Sequence, residues 1–361
     1  MAYVLYENLG GPDDVLSKIR DFLLSKDFTI LNNCTADLDI NGSGSSDGKV
    51  LAVKKNDIYA VFRSANGKVI FDSQQNSQQA YGIGLIGATN YTVNPPSGKW
   101  FDQPNVTVNN AQQVIGAGIP VQQNENYRLW CNYAVDAKNS TYMVMISLEL
   151  QKGLFQHLAF GETQKVGAWT GGMLVSGSKN SYTMFPTGWS VDELFAGSNH
   201  LFGMSANPST FLRIDVDAAP LRLKPVLWAA AGPASGVCST GKILATPLTN
   251  LDAFSAGWFP KVPHYAYLQS QSVGDYGRNV NTANCISVNL PIVLYIQRDP
   301  DSLMNFSQVG YVSTLYSISM RNVASTSCYE IAYPKSGNLH QVFPHVKRAG
   351  MFGYDGLSIM Q

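Results

Sequence analysis

At 361 residues, with 25 basic and 25 acidic side chains, the chain is long enough for two domains and carries no net charge. That balance, with no basic run, argues against direct nucleic-acid binding, which needs clustered Lys and Arg to displace counterions. Only 14% of residues are charged, against roughly 25% in typical soluble domains; an ordinary β-rich protein with polar loops has such numbers, and so does a chain that lies against other chains, since interface centres lose charge and gain aromatics.

The N-terminus lacks the basic start and apolar core of a secretion signal, and the longest apolar runs, such as Pro225–Ala231, are strand-sized, so no membrane span is expected. Pro12, Asp13 and Asp14 then open a helix over about 13–25: proline suits a first helical position, and acids suit the positive end of the dipole. Val15, Leu16, Ile19, Phe22 and Leu23 recur at helical spacing and give it one apolar stripe. Phe28–Leu31 is β-prone, and Asn41–Gly48 is a Gly/Ser loop.

Lys49–Val53 and Asp57–Ser64 read as strands, and Asn66-Gly67 predicts a hairpin returning along Lys68–Asp72. Tyr81–Tyr91 is Gly-rich, and Asn94–Gly98 is a further loop. The strongest β pattern follows. Tyr127, Leu129, Cys131, Tyr133 and Val135 alternate, and after a turn at Asp136–Asn139 so do Tyr142, Val144, Ile146, Leu148 and Leu150, opposite Met143, Met145, Ser147 and Glu149. Leu154–Gly161 adds a third strand. The stretch 177–208 is loop-rich and marks a boundary between an N-terminal helix-plus-β domain (1–200) and a C-terminal β-rich domain (201–361). In the second half Phe211–Asp217, Pro225–Ala231, Cys285–Gln297, Gly310–Met320, Tyr329–Tyr333 and Gln341–His345 read as strands between long Gly/Ser/Asn-rich segments. The fold class expected is mainly β, α+β only at the N-terminus, with β-sandwich-like domains and a short amphipathic helix.

No residue cluster specifies a reaction. Gly82-Ile83-Gly84-Leu85-Ile86-Gly87 matches the dinucleotide-binding string GxGxxG, yet a Gln-rich stretch precedes it and a proline loop follows, where the mechanism needs a strand and a helix; an apolar loop or edge strand fits better, and no cofactor is expected. Asp215 and Asp217, like Asp37 and Asp39, share a strand face, as carboxylates for glycoside hydrolysis or a cation would, but Arg213 on the same face suggests a charge-balanced surface. Five histidines are scattered without metal-ligand spacing, and His157, beside Phe155 and Leu158, reads as structural. Five cysteines far apart, with no CxxC, read as reduced and mostly buried thiols. No catalytic, cofactor or metal residue is therefore assigned. Trp100, Phe101, Trp169, Trp189, Trp258 and Phe259, in or beside Gly/Pro loops, are candidate interface anchors, with plain packing as the equal alternative.

Three places carry a family resemblance. Asn8-Leu9-Gly10 with the helix to Leu24 and the strand Phe28–Leu31, the block Tyr142–Gly177 ending in Gly171-Gly172-Met173-Leu174-Val175-Ser176-Gly177, and the closing strings Ile318–Val323, Val342-Phe343-Pro344 and Gly353-Tyr354-Asp355-Gly356-Leu357 resemble the virion structural proteins of tailed bacteriophages, especially tail or baseplate components. The resemblance implies a non-enzymatic part of the virion, made in the host cytoplasm, whose partners are copies of itself and other virion proteins. A receptor- or glycan-binding module at the tail tip, gripping a host surface glycan, is the competing class, and a wall or capsule hydrolase the third.

Overall fold

The computed structural model describes residues 3–32, 48–67, 71, 81–108, 112–122, 126–180, 209–217, 228–231, 242–247, 287–297, 306–320, 323–344 and 355–361. It is mostly β, with one short helix near the N-terminus. The first strand, β1 (Tyr3–Leu9), leads into α1 (Pro12–Leu24), whose Pro12, Val15, Leu16, Ile19, Phe22 and Leu23 are buried, the stripe expected. Asp14 accepts the Gly10 N–H at 3.0 Å, and Asp13 accepts the Ser64 hydroxyl, tying the start of the helix to a neighbouring strand.

A smaller sheet follows. It comprises β2 (Thr29–Ile30), β3 (Val50–Lys55), β4 (Ile58–Asn66), β5 (Tyr81–Ala88) and β6 (Ala117–Pro120), and a late two-residue strand joins its far edge. The hairpin partner of β4 is β5, with Asn66 opposite Tyr81. The expected return along Lys68–Asp72 is not formed at Phe71, which lies outside any strand and is buried; the rest of that segment lies outside the described residues. The GxGxxG string is likewise neither loop nor edge. It is β5 itself, held between β4 and β6, with Ile83 and Leu85 in one core and Ile86 in another. Glycines removed the alternation by which a strand is recognised, while the pairing on both sides supplies the order.

Next come β7 (Tyr127–Asp136), β8 (Thr141–Gln151), β9 (Leu154–Lys165) and β10 (Trp169–Gly177), then β11 (Lys179–Asn180), the strand that pairs with β6. The second half adds β12 (Thr210–Asp217), β13 (Trp228–Ala231), β14 (Lys242–Pro247), β15 (Leu290–Gln297), β16 (Phe306–Ser319), β17 (Cys328–Glu330), β18 (Leu339–Pro344) and β19 (Asp355–Met360). All but those of the smaller sheet form one 13-stranded sheet in the order β1-β7-β8-β9-β10-β12-β13-β14-β15-β16-β19-β18-β17. It draws strands from both sides of residue 200, with β10 bonded to β12. The sheet curls until β16 meets β9, Gly310–Val312 pairing with Thr163–Lys165.

The curl explains the alternation in β7 and β8. Tyr127, Leu129, Cys131, Tyr142, Val144 and Ile146 face α1 and the smaller sheet in one core. Trp130, Ala134, Met143 and Met145 face the returning half, where Ile292, Leu294, Leu315, Phe343 and Ile359 meet them in a second. β8 is thus buried on both faces, and its nearly continuous apolar run is what a strand needs in the middle of a layered stack. A third core lies on the outer face of the smaller sheet, under the segment carrying Trp100 and Phe101.

Candidate functional site

A concavity lined by convergent polar groups lies where the two sheets diverge. The β3–β4 turn, which Asn56 enters with φ +53°, forms one wall; the end of β9, the start of β10 and the middle of β12 form the other. The cleft encloses about 520 Å³, within the range of small-molecule sites. Across it Asn56 Nδ2 donates to Glu162 Oε1 at 3.0 Å, a bond between the sheets. Glu162 is half-buried, and loss of water pushes its carboxyl above the usual range, opposed by the Asn56 bond and by Lys165 and Lys55. On the floor Arg213 grips Asp215 through both Nε (2.6 Å) and Nη2 (2.5 Å), the charge balance read from their shared face. Fork-to-carboxylate bonding of this kind fixes both groups.

Irregular backbone shapes the second wall. The β10–β12 register shifts between Thr170 and Gly171 and again before Leu174, and Gly171 and Gly172 take φ of +96° and +104°. A Cβ at Gly171 would lie 2.6 Å from the Arg213 carbonyl oxygen, and one at Gly172 would lie 2.7 Å from Lys165 Cε. Only glycine lets β10 approach both neighbours there, and bulges of this sort recur beside binding sites, where they redirect side chains.

Beneath the cleft Lys55 spans the sheets. Its Nζ lies 4.8–5.9 Å from the ring centres of Phe28, Tyr133 and Tyr142 and donates to the Lys26 carbonyl. Cation–π attraction holds the ammonium against the three rings.

The structure also joins a serine and a histidine that sequence reasoning left apart. Ser147 and His157 are register partners in β8 and β9. His157 Nε2 lies 2.8 Å from the Pro344 carbonyl, which can only accept, so Nε2 carries the hydrogen; Nδ1 then accepts from the Ser147 hydroxyl at 2.9 Å. Both residues are 0% exposed, with Phe155 and Phe343 against the imidazole. This is a polar rivet joining β9 to β18, the structural histidine expected. Cys131 is buried too, and burial pushes its thiol up, which suppresses thiolate reactivity.

His340, 4% exposed beside the Tyr316 ring, gives the fold a pH response. Burial lowers its pKa from the ordinary 6.5 to about 4. The unfolded chain therefore binds this proton more tightly than the folded one, so the contribution to stability is complete above pH 6.5 and is lost as pH falls through about 4. The melting temperature is expected to drop across that window, and His340→Gln is expected to flatten the drop; equal slopes in both proteins would contradict the assignment.

Of the six candidate anchors, the three described are buried in the chain's own cores. Trp100 and Phe101, 2% and 6% exposed, pack around Phe71 at ring separations of 5.2 and 5.9 Å. Trp169, 8% exposed, donates its Nε1–H to the Val309 carbonyl at 3.0 Å. Trp189, Trp258 and Phe259 lie outside the described residues, as do Asp37, Asp39, His200, His264 and His345. Among the described residues no group of three His, Cys, Asp or Glu is placed to hold a metal ion, and no helix is long and apolar enough to cross a membrane. Asn56, Asp57 and Glu162 carry no sequence motif, whereas Arg213 and Asp215 stand out in the sequence as opposite charges on one strand face. No protein-family model matches the chain, and no curated protein matches it.

Proposed function

We propose that the chain is a non-enzymatic structural component of a tailed-phage virion, assembling as a symmetric oligomer in the tail or baseplate. The observation that carries this reading is the free end of the larger sheet. β17 bonds to β18 on one side, and no other described strand pairs with it. Beside it Tyr333 and Leu339 are 64% and 52% exposed, although the Tyr333 backbone is held by exchange of hydrogen bonds with Ser287 and Asn289. An unpaired strand edge flanked by exposed apolar side chains on a fixed backbone is a surface that another chain can complete. The weak surface charge supports the same reading, because it reduces repulsion between copies. The likeness of Tyr142–Gly177 and the closing strings to virion structural proteins supports the tail or baseplate as the place.

Electron cryo-microscopy of intact particles tests the location: a ring of this chain around the tail tube or in the baseplate is expected, and particles that lack it would overturn the reading. Light scattering tests the assembly. A single stoichiometry is expected for the native chain, with Tyr333→Glu plus Leu339→Glu dissociating it. A native chain that remains monomeric at every concentration would remove the basis for an oligomer.

A further inference from the structure

We propose that the cleft between the β3–β4 turn and the bulged start of β10 is a saccharide-binding site, taking a neutral sugar unit. The inference stands on the cleft and is independent of the assembly surface at β17. Its walls present planar polar groups: the amide of Asn56, the carboxylates of Asp57, Glu162 and Asp215, and the guanidinium of Arg213. Vicinal sugar hydroxyls both donate and accept, so each can satisfy a carboxylate and an amide or guanidinium in one plane.

Charge narrows the ligand class. Three carboxylates face two cations, Lys165 and Arg213, and Arg213 is already tied to Asp215. A phosphate would meet a surplus of negative charge, and a polyamine, which that surplus attracts, is the competing class in the test below. An apolar molecule would strip the remaining water from Glu162, which is costly for a carboxylate already half out of water. Bare cation binding lacks its ligand set, since no three described metal-ligating side chains converge. A neutral molecule dense in hydroxyls meets none of these penalties.

Rigidity supports recognition. Most cleft residues stand on paired strands or in the β3–β4 and β7–β8 turns, and the Asn56–Glu162 bond links the two walls. Preorganised polar groups lose little freedom when a flexible, well-hydrated ligand binds.

Saturation-transfer NMR on the full chain tests the site with glucose, galactose, mannose, rhamnose and N-acetylglucosamine, and with inorganic phosphate and spermidine as the competing classes. Two variants locate the binding. Glu162→Gln removes the charge and keeps the shape; Asn56→Gly removes the amide while suiting the left-handed turn conformation at φ +53°. Transfer to at least one sugar is expected, weakened about tenfold in each variant, with melting temperatures within about 2 °C of the native chain. The proposal is overturned by no transfer from any of the five sugars, by sugar binding that neither variant weakens, or by phosphate or spermidine binding in their place. Appearance of cleaved products when oligomers of the bound sugar are supplied would uphold the site while overturning the non-enzymatic reading.

Discussion

Replacing Gly161 with valine is expected to abolish the native fold. Gly161 lies in β9, opposite Met143 of β8 and Leu174 of β10, so backbone encloses it from both sides. A Cβ there would be 2.2 Å from the Tyr142 carbonyl oxygen and 2.9 Å from Met143 Cα. Neither atom belongs to a side chain that can rotate away, and moving the Tyr142 carbonyl would break the β8–β9 ladder. The site is a corner: beyond Gly161 the end of β9 swings from β8 towards β16, and Gly310 on β16 shows the matching constraint, with its Cβ position 2.4 Å from the Gln164 carbonyl oxygen. Glycines at tight bends of curled sheets serve this purpose. The cost is expected to exceed about 4 kcal/mol, at the far end of single-substitution effects, and to appear as loss of soluble protein with a native circular-dichroism spectrum. Gly10→Ala is the control, because nothing lies within 4 Å of its Cβ position; its effect is expected to stay within about 0.5 kcal/mol.

Phe160→Ala comes second, with an expected loss of about 3–5 kcal/mol in denaturant unfolding. Phe160 is 0% exposed, and its ring meets Phe28 at 5.9 Å and Phe62 at 5.5 Å, both edge-on. Phe28 in turn meets Tyr142 at 5.6 Å and Tyr133 at 6.2 Å. One ring cluster therefore joins the segment after α1, the smaller sheet and the larger sheet. Truncation leaves a cavity whose walls belong to three elements, none able to collapse without disturbing the others. Tyr133, half-buried at the rim of the cluster, offers the contrast: Tyr133→Phe keeps the ring and is expected to change stability by less than about 1 kcal/mol. Equal losses from the two variants would show that the cluster does not couple the sheets.

The parts of this architecture legible from residue order are those whose pattern is local. The stripe from Val15 to Leu23 fixed the helix, and the alternation of Tyr142 to Leu150 identified β8 and even its two faces. That Met143 and Met145 are as buried as Val144 was not legible, because the layer covering them arrives from residues beyond 290. β5 was hidden by its glycines. The cleft was invisible for another reason. Asn56, Glu162 and Arg213 are distant in the chain and individually ordinary; only the divergence of two sheets makes them neighbours. The Ser147–His157 pair follows from register, which the hairpin pattern implies once β9 is aligned with β8.

The junction of β9 with β16 also bears on how the chain is made. Lys165 pairs with Gly310, about 145 residues later, so the curl cannot close while the ribosome still holds the last third of the chain. Until then β9 and β10 present an apolar face that Leu315, Phe343 and Ile359 will later cover. Contacts so distant in the chain form late, since a long loop must be closed before any of them is gained. Production of this protein is thus expected to depend on protection of that face during synthesis, and on synthesis running to its end.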